Sequence, residues 1–249
     1  MIDGESVQGP GSRGTLRIAV RPIDSLSDVE RQQMFELMAG YFADMDRRRF
    51  EQDLDEKQVA IVLAAGDSGR VEGFSTLTVL RTTVNQESIA AIFSGDSILA
   101  PQCRGRSVWM RHLLRYIMEL ADQQPESTLY WLLITCTPVV YRCLPAFAQE
   151  YYPRPATTMP TKMAKHLEAL VELKFPGQYD RTRGVVIPNL ANPVRADARK
   201  HFARSNNPHV EFFAAANPRF LEGAFLPCIC PCYRENLTSE GRRLVEGVK

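Results

Sequence analysis

The residues Pro101-Gln102-Cys103-Arg104-Gly105-Arg106-Ser107 place two guanidinium groups and a glycine in one short turn. An apolar, strand-like run (89–100) enters this turn, and a run with helical spacing (108–121) leaves it. A strand feeding a basic, glycine-containing turn that opens a helix is suited to holding phosphate. The turn offers unpaired backbone N–H groups, and the helix dipole favours negative charge at its start. Arg104 and Arg106 add charge-assisted donors. The alternative is an ordinary basic loop. On the same strand, Asp96 lies within Ser94-Gly95-Asp96-Ser97 and in a regular strand shares a face with Ile98 and Ala100. A carboxylate there can take a proton, directly or through water, which makes Asp96 the candidate base. The competing reading is an Asp that satisfies the backbone of a bulge at Gly95.

Other reactive side chains give weaker signals. Cys228, Cys230 and Cys232 alternate along one strand-like run, so all three sulfurs face one side. The spacing is not the two-residue gap of structural zinc sites, and no second Cys or His pair stands nearby. Buried thiols are expected there, and no metal. Cys136 and Cys143 have no neighbouring His to activate a thiolate. His112, His166, His201 and His209 are scattered; His209, before a strand-like run, reads as a surface or capping residue rather than a site residue.

The elements that must position these groups follow from periodicity. Residues 16–21 alternate as a strand. Ser27-Asp28-Val29-Glu30 is a capping box, and the helix behind it carries Phe35, Met38, Tyr41, Phe42 and Met45 on one face. Residues 47–57 are highly charged, a helical or loop connection. Strands at 59–65, 71–80 and 89–100 form an antiparallel meander, with Gly73 at a bulge or close approach. Residues 129–135 are continuously apolar, a strand buried on both faces. Pro138 starts a short helix over 139–147. Beyond Pro153 we expect helices at 161–174 and 193–204, short strands at 184–187 and 210–213, a strand at 224–232, and a frayed tail after Arg234. Strands interrupted by helices around a meander argue an α+β (mixed α/β) fold, not a doubly wound parallel sheet.

Over residues 16–147 the chain resembles the GNAT superfamily of N-acetyltransferases, as an atypical member with a C-terminal extension. The order of elements agrees, and two motifs carry the resemblance. The family's acyl-CoA signature is Gln or Arg, two variable residues, Gly, one variable residue, then Gly or Ala. Here it stands as Gln102-Cys103-Arg104-Gly105-Arg106-Ser107, with Ser in the last place. The second motif is Val140-Tyr141-Arg142-Cys143-Leu144-Pro145-Ala146-Phe147, where Pro145-Ala146 replaces the usual Gly before the aromatic. The resemblance implies a mostly antiparallel, twisted sheet flanked by helices. It implies an acyl-CoA donor (acetyl or longer) or an acyl carrier protein thioester, cradled by Gln102 to Ser107. The strand end Ile98, Leu99 and Ala100 would pair with the pantetheine arm, and Tyr141 would protonate the departing thiolate. The acceptor would be a small-molecule or peptide amine, or a hydroxyl. A binding or sensing module of the same fold without turnover is the alternative, kept open by Ser107 and Pro145.

Bulk properties set limits. A 249-residue chain with 45% hydrophobic and 24% charged residues suits a globular protein, and a net charge of +1 gives no general attraction to nucleic acid or anionic membrane. A nucleic-acid binder using Arg181, Arg183, Arg195, Arg199, Lys200 and Arg204 is disfavoured on that ground. No apolar run reaches membrane-spanning length. The polar residues 1–14 read as a disordered lead-in without the apolar core of a signal peptide, and six cysteines then suggest reduced thiols in the cytoplasm. We expect a core at 15–153, an extension at 154–249 packed as one compact unit with it, and possible homodimer formation.

Overall fold

The computed structural model describes residues 5–8, 15–104, 107–124, 128–189, 192–195 and 207–246. Strands are β1 (Glu5–Gln8), β2 (Thr15–Pro22), β3 (Val59–Ala65), β4 (Val71–Val84), β5 (Glu87–Leu99), β6 (Thr128–Thr135), β7 (Tyr179–Asp180), β8 (Val185–Val186) and β9 (Leu226–Pro231). Helices are α1 (Asp28–Tyr41), α2 (Arg47–Asp55), α3 (Ser107–Asp122), α4 (Pro138–Tyr141), α5 (Cys143–Phe147), α6 (Thr161–Lys174), α7 (Pro208–Ala216) and α8 (Ser239–Glu246). The chain divides into two units, one of residues 1–78 with 94–115, the other of residues 79–93 with 116–249. The residues of β4, β5 and α3 are shared between them.

In the first unit the strands hydrogen-bond in the order β1-β2-β3-β4-β5. The pairs β1/β2, β2/β3 and β3/β4 are antiparallel, and β3/β4 is the first pair of the expected meander. The lead-in expected to be disordered contributes β1, whose Glu5 pairs with Ile18 and Gln8 with Thr15. The capping box forms as expected: Ser27 Oγ accepts from the Glu30 N–H at 3.3 Å, and the Ser27 N–H donates to Glu30 Oε2 at 2.8 Å. The charged run at 47–57 is helical from Arg47 to Asp55. Asp46 caps it by accepting from the Arg49 N–H at 2.7 Å, and Phe50 and Leu54, one turn apart, turn inward. Arg31 ties the two helices through Glu51 and Asp55 at 2.9 and 2.8 Å. Met34 and Met38 of α1, Phe50 and Leu54 of α2, Val62 of β3 and Phe74 of β4 make the core, with Phe35, Tyr41, Phe42 and Met45 packed at its margin.

In the second unit the order is β4-β5-β6-β9. Asn85 and Gln86 join β4 to β5 with φ of 50° and 67°, the pair of left-handed residues whose twist suits a two-residue hairpin. β6 is buried on both faces from Leu129 to Leu133, as its continuous apolar run requires, and β9 closes against it antiparallel, Trp131 facing Cys230. α6 lays Met163, Leu167, Leu170 and Val171 on Ile89, Ala91 and Phe93 of β5, Tyr130 and Leu132 of β6, and Ile229 of β9. Across both units the fold is α+β, a mostly antiparallel sheet with helices against it, as the sequence implies.

Three expectations for the extension need correction or fall outside the described residues. The run 210–213, expected as a strand, lies within α7: Pro208 supplies the first-turn φ, and the Asn207 side chain accepts from the His209 N–H at 3.0 Å. The tail over 235–246, expected to be frayed, is ordered. Asn236 is buried and donates to the carbonyls of Glu150 and Pro231 at 2.9 and 2.8 Å, and α8 follows with Leu244 buried. A Cβ on Gly241 would meet the Phe147 carbonyl at 2.5 Å, so α8 approaches α5 backbone-close because this residue is glycine. The helix expected at 193–204 lies mostly outside the described residues; Pro193, Val194 and Arg195 are described and are not helical.

Candidate active site

The basic turn stands in the context its sequence demands. β5 delivers Ile98 and Ala100, both buried, with Leu99 half-buried; a 3-10 turn at Pro101–Cys103 follows, and α3 begins at Ser107. The position of β5 here depends on β4. On β3, Leu63 pairs with Gly73 and Ala64 with Val71, so Glu72 is the extra residue of a bulge. Gly73 lies against β5 so closely that a Cβ would collide with the Leu99 side chain and meet the Ile98 carbonyl at 3.0 Å. Of the two alternatives expected for Gly73 the close approach is the one it makes, directly beside the bulged Glu72. A Gly73→Ala variant should lose about 1–3 kcal/mol of stability through overpacking, read as a lower denaturant midpoint; an unchanged midpoint would show that β5 yields at no cost.

Several groups of the turn are already committed. The Ala100 N–H donates to the Glu72 carbonyl at 2.8 Å, which takes it from any pairing with a pantetheine arm. The Cys103 N–H bonds the Ala100 carbonyl at 2.8 Å, and the Arg104 N–H bonds Pro101 at 3.4 Å, so the Arg104 amide serves the turn rather than an anion. Gln102 donates to the Glu72 carboxylate. Arg104 is exposed, its Nε donating to the Leu99 carbonyl at 3.3 Å and its guanidinium lying 5.6 Å from the Tyr41 ring centroid. Cys103 is buried in this unit. Gly105 and Arg106 lie outside the described residues, as does the Ser107 side chain. Asp96 is half-buried on β5, and beside it the Ser97 and Ser75 hydroxyls meet at 2.5 Å.

Tyr141 belongs to the second unit. Thr137 caps α4 by accepting from the Val140 N–H at 3.3 Å, and Pro138 opens the helix as its position predicts. The Tyr141 side chain is fully buried. Its hydroxyl donates to the Pro153 carbonyl at 2.9 Å, and its ring meets Phe212 (stacked, 5.8 Å), Phe213 (5.6 Å) and Tyr151 (6.2 Å). Burial, reinforced by Cys228, pushes its phenol far above the ordinary tyrosine range, so this is a group that keeps its proton. Tyr151 also reaches His209 Nδ1 at 3.4 Å.

The cysteines are thiols, buried at Cys103, Cys136, Cys228 and Cys230 and half-buried at Cys143 and Cys232. Cys228 and Cys230 are enclosed in β9, and burial raises Cys230 to about 12 and Cys228 well above its usual value. Cys143 is likewise pushed up by burial to about 12. Such thiols are poor nucleophiles at neutral pH. Among the described residues no three His, Cys, Asp or Glu side chains gather as a metal site.

One polar line escaped the sequence reading. His166 sits on the apolar face of α6, almost wholly buried. Its Nδ1 lies 2.9 Å from the Tyr130 hydroxyl; its Nε2 faces Glu87 at 3.8 Å, and Glu87 pairs with Lys162 at 2.9 Å. Desolvation lowers the imidazole below its ordinary value, against the attraction of Glu87 and together with the repulsion of Lys162. The unfolded chain therefore binds this proton more readily than the folded one. The His166 contribution to stability is present above the unfolded value of about 6.5 and declines as pH falls through it. Denaturant midpoints at pH 7.5 and 5.5 should show a drop in the wild type that shrinks in His166→Gln; an equal drop in both would remove His166 as its source.

No protein-family model matches the chain, and no curated protein matches it. Solved structures do. A GNAT family N-acetyltransferase from Escherichia coli, in complex with CoA, is 16% identical with a TM-score of 0.37 over 55% of this chain and 71% of that one. A probable N-acyltransferase from Enterococcus faecalis is 17% identical, TM-score 0.40, over 77% of this chain and 50% of that one. Glucosamine-6-phosphate N-acetyltransferase from Arabidopsis thaliana is 13% identical, TM-score 0.38, over 58% of this chain and 97% of that one. Likeness at that distance gives no residue of this chain a role. No helix among the described residues is long and apolar enough to cross a membrane.

Proposed function

We propose that this protein transfers an acyl group from acyl-CoA to an amine or hydroxyl acceptor, in the manner of the GNAT superfamily that its motifs resemble. The observation that carries the reading is the setting of Gln102 to Ser107: a buried strand, a tight turn and a helix in immediate succession. The pyrophosphate would lie over the backbone N–H groups of Gly105, Arg106 and Ser107, with the Arg104 and Arg106 side chains beside it. Ile98 and Leu99 would offer the pantetheine amides a strand edge. A phosphopantetheine arm on a carrier protein presents the same thioester and is the alternative donor.

The chemistry is a direct displacement. The acceptor nitrogen attacks the thioester carbonyl, the C–N bond forms, the C–S bond breaks, and the sulfur leaves as a thiolate. Asp96 would take the proton shed by the nitrogen, and Tyr141 would supply one to the thiolate. Both assignments are ours.

A second reading has a specific observation behind it. With its hydroxyl held by Pro153, Tyr141 has no open path to a leaving group, which favours a module that binds acyl-CoA without turnover. Acetyl-, octanoyl- and palmitoyl-CoA, each with a panel of amines, separate the two. An upward shift in melting temperature with free thiol released supports the enzyme. The same shift without thiol release supports the module, and no shift with any ester defeats both.

A further inference from the structure

We propose that Thr76 of β4 is a positioning residue whose hydroxyl holds and aims the carboxylate of Asp96; this rests on Asp96 acting as the base in the acyl transfer above. Both residues belong to the first unit, together with the basic turn. Three contacts fix how β4 and β5 align. The Ala100 N–H donates to the Glu72 carbonyl at 2.8 Å, Gly73 lies against Leu99, and the Ser75 and Ser97 hydroxyls meet at 2.5 Å. Antiparallel pairing in that register sets Phe74 opposite Ile98, and Thr76 opposite Asp96. Phe74 and Ile98 both lie in the core made with α1 and α2. Thr76 and Asp96, two residues further along each strand, share that face.

Thr76 is fully buried, and its Oγ1 has no hydrogen-bond partner among the described residues. A buried hydroxyl left unpaired is costly. Its cross-strand neighbour on β3 is Ala60, which offers no polar side chain. Its neighbour on β5 is Asp96, which is half-buried. Side chains directly opposite across a sheet have Cβ atoms about 4.5–5.5 Å apart, so rotation of the Asp96 side chain brings a carboxylate oxygen to Thr76 Oγ1. A hydroxyl both donates and accepts. It would donate to the ionised carboxylate before the acceptor gives up its proton, and accept from the carboxylic acid once that proton has moved. A valine of similar size would anchor neither state.

The test is thiol release by the full chain from whichever of acetyl-, octanoyl- and palmitoyl-CoA reacts fastest with the amine panel. Thr76→Val should lower kcat by about tenfold or more, the worth of a hydrogen bond to a charged group, with KM for the ester unchanged. Thr76→Ser keeps the hydroxyl and should return kcat to near the wild-type value. Stability should run in the opposite order. Thr76→Val should melt at or above the wild-type temperature, because an unpaired buried hydroxyl is gone, and Thr76→Ser should melt lower through the lost methyl. A merely structural role would move kcat and melting temperature together. In an Asp96→Asn background, Thr76→Val should cost no further activity. Wild-type kcat in Thr76→Val, or an undiminished loss in the Asp96→Asn background, would overturn the positioning role and leave acyl transfer intact. Full activity in Asp96→Asn would remove the base, and the positioning role with it. No thiol release by the wild type from any of the three esters would overturn the enzyme as well.

Discussion

Replacing Gly105 with valine is expected to abolish acyl-CoA binding. The resemblance puts a pyrophosphate against the backbone at this position, and a branched side chain there would hold the phosphates away from the amides that follow. Losing one or two hydrogen bonds to a charged group costs about 3 kcal/mol, a dissociation constant raised by roughly a hundredfold or more. Calorimetric titration with acetyl-CoA measures it, and Gly105→Ala should fall between valine and wild type. Unimpaired binding in the valine variant would mean that the turn holds no phosphate, and Arg104 and Arg106 would be ordinary surface charges. Circular dichroism and melting temperature, recorded in parallel, establish that the variant is folded.

The second large effect concerns Tyr141→Phe. Loss of a general acid lowers turnover by about 10²–10⁴-fold, so kcat should fall by that order while the dissociation constant for acyl-CoA is unchanged. The same substitution leaves the Pro153 carbonyl without its 2.9 Å partner, a loss of about 1–3 kcal/mol of stability. The two readouts report different roles. A fall in kcat with binding retained assigns the proton to Tyr141. A fall in stability alone makes Tyr141 a tie between α4 and the Pro153 segment, and gives the departing thiolate its proton from another source.

The parts of the fold that were legible in the sequence are those set by local rules. Apolar runs separated by glycine- or asparagine-containing breaks marked β3 to β5, and Ser27 with Glu30 marked the start of α1, because hydrophobic patterning and capping act within a few residues. Val210 to Phe213 misled because a short β-branched and aromatic run suits a strand, but Asn207-Pro208 before it was a helix start. The tail misled through its polarity. Leu237, Gly241 and Leu244 lie four and three residues apart, and that spacing was the available signal for α8.

The site was legible less far. The strand, turn and helix around Gln102 to Ser107 could be placed, but the commitment of the Ala100 N–H to the Glu72 carbonyl depends on a bulge in a neighbouring strand. Tyr141 could be located in its helix, but not its enclosure, since Phe212 and Phe213 stand about seventy residues further along the chain. His166 reads as one more position on an apolar stripe; only folding brings Tyr130 and Glu87 to it. Local patterns fix elements, whereas the partners of a buried polar group come from tertiary packing.

The proposed function stands or falls on whether the turn from Gln102 to Ser107 cradles an acyl-CoA. A crystal structure of the protein with acetyl-CoA or a non-reactive analogue tests it most directly. The expected result is a pyrophosphate within hydrogen-bonding distance, about 2.7–3.2 Å, of backbone N–H groups between Gly105 and Ser107, with the pantetheine arm running along Ile98 and Leu99. A CoA bound elsewhere on the chain, with this turn empty, would contradict it.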